Sequence, residues 1–142
     1  MGEVHLTLET MRIIALFEKM TGATVKDCLD EPDRLTFVVP EPDLGKAIGK
    51  KAANLLQAKE ALKRDVEIVG YDADAAKFVR NIFHKFAVTE VAFQTRADGT
   101  KIARVKVDPK EKGKAIGKAG RNVQIASKLA ARHSDVAEVV VD

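Results

Sequence analysis

The chain has 142 residues, 46% hydrophobic and 32% charged, with a net charge of +3, a composition ordinary for a soluble globular protein with room for one domain or two small ones. Its longest apolar run, Ile13 to Phe17, is flanked by charge and too short for a membrane span or secretory signal, and Leu6 stands where myristoylation after Met1-Gly2 would need Ser or Thr. The single cysteine, Cys28, excludes an internal disulfide and a Cys-pair metal site and reads as a small apolar strand residue; the expected compartment is the cytoplasm.

In chain order, Thr7 is placed to cap a helix to about Met20, with Glu9 in its first turn and Gly22 as a stop. Leu8, Met11, Ile14, Ala15 and Phe17 form its apolar side and are expected in the core. Residues 24–30 and 34–39 read as strands joined by a Glu31-Pro32-Asp33 turn. Leu35, Phe37 and Val39 alternate with Thr36 and Val38, which predicts one buried face. A short helix over Asp43–Ile48 runs into a glycine loop, and a second helix spans about Ala53 to Leu62, with Leu55, Ala58 and Leu62 at core spacing. Val66 to Val69 closes the unit as a strand.

Gly70 and Tyr71 then separate that strand from Asp72, a candidate cap for a helix carrying Ala75, Phe78, Val79, Ile82 and Phe86 at three–four spacing. No flexible linker intervenes, so the junction is expected to hold the units in one orientation, and units this small are expected to pack together. Val88 to Thr95 and Lys101 to Val107 read as a hairpin with Asp98-Gly99 in its loop. In its second strand Arg104 and Lys106 point away from Ala103, Val105 and Val107 and are candidates to flank a groove. A short helix enters Gly113–Gly117, a helix runs from Arg121 to about Arg132 with Val123, Ala126 and Ala130 inward, and Val136 to Val141 ends the chain as a strand.

Gly45-Lys46-Ala47-Ile48-Gly49-Lys50 recurs letter for letter as Gly113-Lys114-Ala115-Ile116-Gly117-Lys118, 68 residues on. One unit is therefore used twice, over residues 1–70 and 71–142. The second copy continues to Ala119, Gly120 and Arg121 as an intact Gly-x-x-Gly; in the first, Lys51 is followed by Ala52 in place of the second glycine. The halves also differ in charge. Residues 1–70 hold 10 Lys/Arg against 12 Asp/Glu and residues 71–142 hold 14 against 9, net −2 and +5. Six basic residues fall between Lys106 and Arg121, so phosphate contact is expected in the second half.

Glycines around a two-residue tip let the backbone turn sharply and let a sugar-phosphate chain lie close. The helix after Gly120 is expected to offer unpaired N–H groups and the positive end of its dipole, with Lys114, Lys118 and Arg121 adding charge. Ile116 and Val123 are candidates for the floor of an apolar groove beside the loop or for ordinary core, and Val123 reads more as core. Ala52 is expected to deny the first loop some backbone geometry and to crowd a phosphate, leaving Lys46, Gly49, Lys50 and Lys51 as weaker contacts.

Other chemistries fail on spacing. Gly45 and Gly49 enclose three residues where a P-loop needs four, and Lys51 stands where Ser or Thr is wanted. His5, His84 and His133 lie far apart with no metal-ligand partner, the carboxylates form no acid–base pair, and with no Trp and seven aromatics, stacking as on RRM sheets is not indicated. No catalysis, cofactor, metal or small-molecule substrate is expected.

The Ile-Gly-x-x-Gly loop between helices resembles that of the KH module, which clamps about four nucleotides of single-stranded RNA. The order helix, strand, strand, helix, helix, strand matches the type II form of that fold, an α+β unit with a three-stranded sheet. Two such units joined without a linker resemble the tandem KH pair of the NusA family of transcription factors over about residues 3–141, and the absence of flanking domains resembles its short archaeal members. The resemblance implies a role in transcription elongation, termination or antitermination with nascent single-stranded RNA as ligand and RNA polymerase or other transcription proteins as partners. It also implies an RNA-clamping role for Gly117, Lys118, Ala119 and Gly120. A ribosome-associated or RNA-processing protein, or a KH scaffold that has lost RNA, stands as the alternative.

Overall fold

The computed structural model describes residues 6–142; Met1, Gly2 and His5 lie outside them. The chain divides into two compact units between Tyr71 and Asp72, and the same succession of elements builds each.

In the first, α1 (Leu8–Thr21) begins where Thr7 Oγ1 accepts the Thr10 N–H at 3.0 Å and ends where Gly22 turns left-handed at φ 76°. Its inward stripe is not the expected one. Thr10, Ile13 and Phe17 are buried, whereas Leu8 is 63% and Met11 47% exposed. Thr10 is tolerated inside because its hydroxyl donates to Asp30 Oδ2 at 3.2 Å, while Arg64 holds Asp30 Oδ1 at 2.5 Å. Phe17 stacks on Phe37 with centroids 4.0 Å apart, which fixes the phase of the helix on the sheet.

The sheet order is β1 (Asp27–Asp30), β2 (Arg34–Pro40), β3 (Asp65–Tyr71), antiparallel then parallel. β1 starts later than expected because the Thr24 N–H donates to the Asp43 carboxylate (2.7 Å) and the Val25 N–H to Glu18 (2.9 Å). β3 runs further than expected: Gly70 and Tyr71 pair with Val39 and Pro40 instead of separating the units. A further correction concerns β2, whose residues Leu35 to Val39 are all buried, Thr36 and Val38 included. A middle strand with so continuous an apolar run is suited to cover on both faces.

Among the described residues the buried Thr36 hydroxyl has no hydrogen-bond partner. Thr36→Val removes that polar group while keeping the shape, so it should raise stability by about 1 kcal/mol. Urea denaturation checks this; a lowered midpoint would show that the hydroxyl is satisfied.

A 3₁₀ turn over Glu41–Asp43 leads into α2 (Leu44–Ile48), and α3 (Ala53–Leu62) follows the loop. Ala47 and Ala58 lie in the core with Ile13, Phe17, Leu35, Phe37 and Val66, and Ile48, Leu55 and Leu62 pack against it.

In the second unit Asp74, not Asp72, caps α4 (Ala75–Ile82): its Oδ1 accepts the Ala76 N–H at 2.9 Å, and Asp72 in turn accepts the Asp74 N–H at 2.8 Å. α4 ends at Ile82, and Phe86 reaches the core from the turn that follows, its N–H bonded to Phe83 O at 2.9 Å. β4 (Val88–Thr95) pairs antiparallel with β5 (Lys101–Val107), and β6 (Val136–Val141) lies parallel on the other side of β5. The hairpin loop is tied by Asp98, whose carboxylate accepts the Thr100 hydroxyl at 2.7 Å and N–H at 3.0 Å, bonds that hold its pKa below the usual value. α5 (Lys112–Ile116) and α6 (Arg121–His133) place Ala115, Ala126 and Ala130 against Ala103, Val105 and Val107. No helix among the described residues is long and apolar enough to cross a membrane.

Candidate nucleic-acid interface

Both glycine loops have one backbone. Gly49 sits at φ 79°, ψ 168° and Gly117 at φ 81°, ψ 165°, a region open in practice only to glycine. A Cβ on Gly49 would lie 2.8 Å from the Asn54 nitrogen, and one on Gly117 2.9 Å from that of Asn122. The first glycine of each motif is thus required twice over, by conformation and by the close approach of the next helix.

The second glycine position is left-handed in both loops: Gly120 at φ 76°, ψ 18° and Ala52 at φ 60°, ψ 26°. Contrary to expectation, Ala52 keeps the loop shape and carries the strain of an L-residue there. Ala52→Gly should relieve it, stabilising the first unit by about 0.5–1 kcal/mol after glycine's greater freedom in the unfolded chain is offset. Chemical denaturation of the full chain reads this out; a lower midpoint would show that the alanine is unstrained.

The free donors also differ from the expected ones. The Gly120 N–H returns to Gly117 O at 3.1 Å and the Arg121 N–H bonds Lys118 O, so the turn before α6 uses the first of the helix N–H groups expected to face the ligand. At the tip, the backbone N–H groups of Lys118 and Ala119, like those of Lys50 and Lys51, have no partner among the described residues. α6 has no side-chain cap, since its N-cap is Gly120.

Around the second loop the structure gathers the exposed Lys114, Lys118 and Ala119 and the half-buried Ile116, Gly117, Gly120 and Arg121. Lys46, Lys50 and Lys51 are likewise exposed around the first. Ile116 and Val123 are half-buried, as are their counterparts Ile48 and Leu55, which pack against the first core. Both units therefore leave part of these apolar side chains accessible beside the loop.

Arg104 and Lys106 are not brought to this loop. They lie on the sheet face opposite Ala103, Val105 and Val107, against which α5 and α6 pack. Arg104 holds Asp142 at 2.6 and 3.1 Å and Gln94 at 3.3 Å, and Lys106 lies 3.7 Å from Glu90. Among the described residues no group of His, Cys, Asp and Glu is placed to hold a metal ion.

Two residues escaped the motif. Asn54 Nδ2 donates to Lys46 O at 2.7 Å and Asn122 Nδ2 to Lys114 O at 2.9 Å. The signal was present, because asparagine holds the same place in both copies while its neighbours differ.

Residues 75–140 match the family model of the NusA-like second KH domain. The chain is 34% identical over 141 residues to "Probable transcription termination protein NusA" of Methanocaldococcus jannaschii, covering 99% of this chain and 76% of that one. The protein of the same name from Thermoplasma acidophilum is 32% identical, covering 99% and 97%. Among solved structures, the crystal structure of APE1850 matches with a TM-score of 0.78 at 34% identity, over 96% of this chain and all of the other.

Proposed function

This chain belongs to the NusA family of RNA-binding, KH-domain transcription factors, and on that premise we propose that it holds nascent single-stranded RNA on the loop Gly117–Gly120. One observation carries the reading: the loop is preformed, with the tip N–H groups of Lys118 and Ala119 turned out of the protein's own bonding and lysines on both sides. Fixed backbone donors in a left-handed turn suit a phosphate, and need no reorganisation when it arrives. Lys114, Lys118 and Arg121 add attraction, and Ile116 and Val123 offer apolar floor for a base.

We assign the residues through Tyr71, where β3 ends, to the first KH domain and Asp72 to Asp142 to the second, one residue later than the repeat alone places the boundary. The first loop shares the backbone and carries Lys46, Lys50 and Lys51, so it contacts RNA too; the Ala52 methyl narrows the approach there, and the contact is weaker. Arg104 and Lys106, on the far side of the sheet and paired with Asp142 and Glu90, take no part in this grip. The protein acts by binding, without catalysis, in the cytoplasm and in the company of RNA polymerase.

The test is fluorescence anisotropy with short single-stranded RNA, matched DNA and duplex RNA. Preference for single-stranded RNA, weakening steeply with salt, is expected. No binding at low salt would instead favour a KH scaffold that recognises protein, in which the net −2 of residues 1–70 would be the face to probe.

A further inference from the structure

We infer that Asn122 is a positioning residue for RNA: it takes over a carbonyl of α5 and thereby releases the Lys118 N–H to the ligand. This rests on the reading that the Gly117–Gly120 loop receives the RNA backbone.

The geometry is specific. If α5 continued as a regular helix, Lys114 O would accept the N–H four residues on, that of Lys118. The Gly117 N–H still makes such a bond, to Gly113 O at 3.0 Å. At the next step the pattern stops: Lys114 O is occupied by Asn122 Nδ2 at 2.9 Å, and the Lys118 N–H has no partner among the described residues. The Asn122 amide thus satisfies an orphan carbonyl from the far side of the loop and leaves the donor free at the tip. Gly117 makes room for this, since a Cβ there would stand 3.1 Å from Asn122 Cγ and 3.2 Å from Nδ2.

The arrangement occurs twice. In the first unit Asn54 Nδ2 takes Lys46 O at 2.7 Å, and the Lys50 N–H is likewise without a partner among the described residues. Two loops that differ at their second glycine keep the same clasp and the same released donor. Bridging two helices, the side chain also fixes the width of the gap that a phosphate would enter.

The experiment uses the full chain, wild type and Asn122→Ala, with Asn122→Asp as the near-isosteric variant that cannot donate. RNA affinity is read by anisotropy, and exchange of the Lys118 amide in the free protein by NMR. Both variants should bind single-stranded RNA about tenfold more weakly, the scale of one lost hydrogen bond to a charged group. In Asn122→Ala the Lys118 amide, fast-exchanging in the wild type, should become protected as it closes on Lys114 O. A purely structural role would lower stability without protecting that amide. Unchanged affinity, or loss with no new protection at Lys118, overturns the inference. Lys118→Asp/Ala119→Asp run alongside separates the two readings: if it abolishes binding while Asn122→Ala does not weaken it, the loop holds RNA and the clasp is irrelevant. If neither variant alters binding, the loop assignment itself fails, and the inference with it.

Discussion

Gly117→Ala is expected to destabilise the second unit by about 3 kcal/mol and to abolish RNA binding with it. Both causes act at once. The residue sits at φ 81°, ψ 165°, where an L side chain is strained, and its new Cβ would lie 2.9 Å from the backbone nitrogen of Asn122. Backbone cannot swing aside as a flexible side chain would, so relief requires moving the start of α6. Gly49→Ala should behave alike in the first unit, with the Asn54 nitrogen 2.8 Å away. The control is Gly113→Ala. That glycine lies inside α5, and a methyl group added there would meet nothing within 4 Å, so the change should be neutral or stabilising by up to about 1 kcal/mol. Denaturant midpoints of the three variants decide the matter; equal effects at Gly113 and Gly117 would mean that the loop backbone is not held as described.

Lys118→Asp/Ala119→Asp should weaken single-stranded RNA binding by at least about 100-fold at low salt, leaving the fold intact. Both positions are exposed at the tip, and aspartate tolerates the left-handed φ of 55° at position 119. The change replaces one positive charge with two negative ones beside the free N–H groups, so a phosphate there meets repulsion instead of attraction. Lys50→Asp/Lys51→Asp should weaken binding less, since Ala52 already narrows that approach. The salt dependence supplies an independent check: a lost phosphate contact on a single strand lowers the slope of log K against log salt by about 0.7. Circular dichroism confirms folding. Indifference to both pairs would place the RNA away from the loops.

Much of this was legible in the sequence because repeated units constrain one another. β4, β5 and β6 fall on their predicted residues, and α3 runs from Ala53 to Leu62 as read. The misreadings have definite causes, some local and one tertiary. Asp72 and Asp74 are both competent caps, and the choice falls to the one that faces the first turn. The three–four spacing through Phe86 was real, but Phe86 packs inward from a turn. On α1, Leu8 and Met11 satisfied an apolar period, yet the stack of Phe17 on Phe37 and the bond of Thr10 to Asp30 turned the helix to another phase.

By itself the sequence determined the duplication, the order of elements, the two glycine loops and the basic bias of the second half, since these depend on periodicity, local conformational preference and summed charge. Only the tertiary structure decided which glycine is indispensable, that Ala52 preserves the loop it seemed to spoil, that Arg104 and Lys106 face away from α5 and α6, and that an asparagine beyond the motif frees its donor. Each of these depends on distances that the packed helices and sheet bring about or on a backbone angle. Residue identity narrows the angles, as it does at glycine, but sets neither until the helices and sheet have packed.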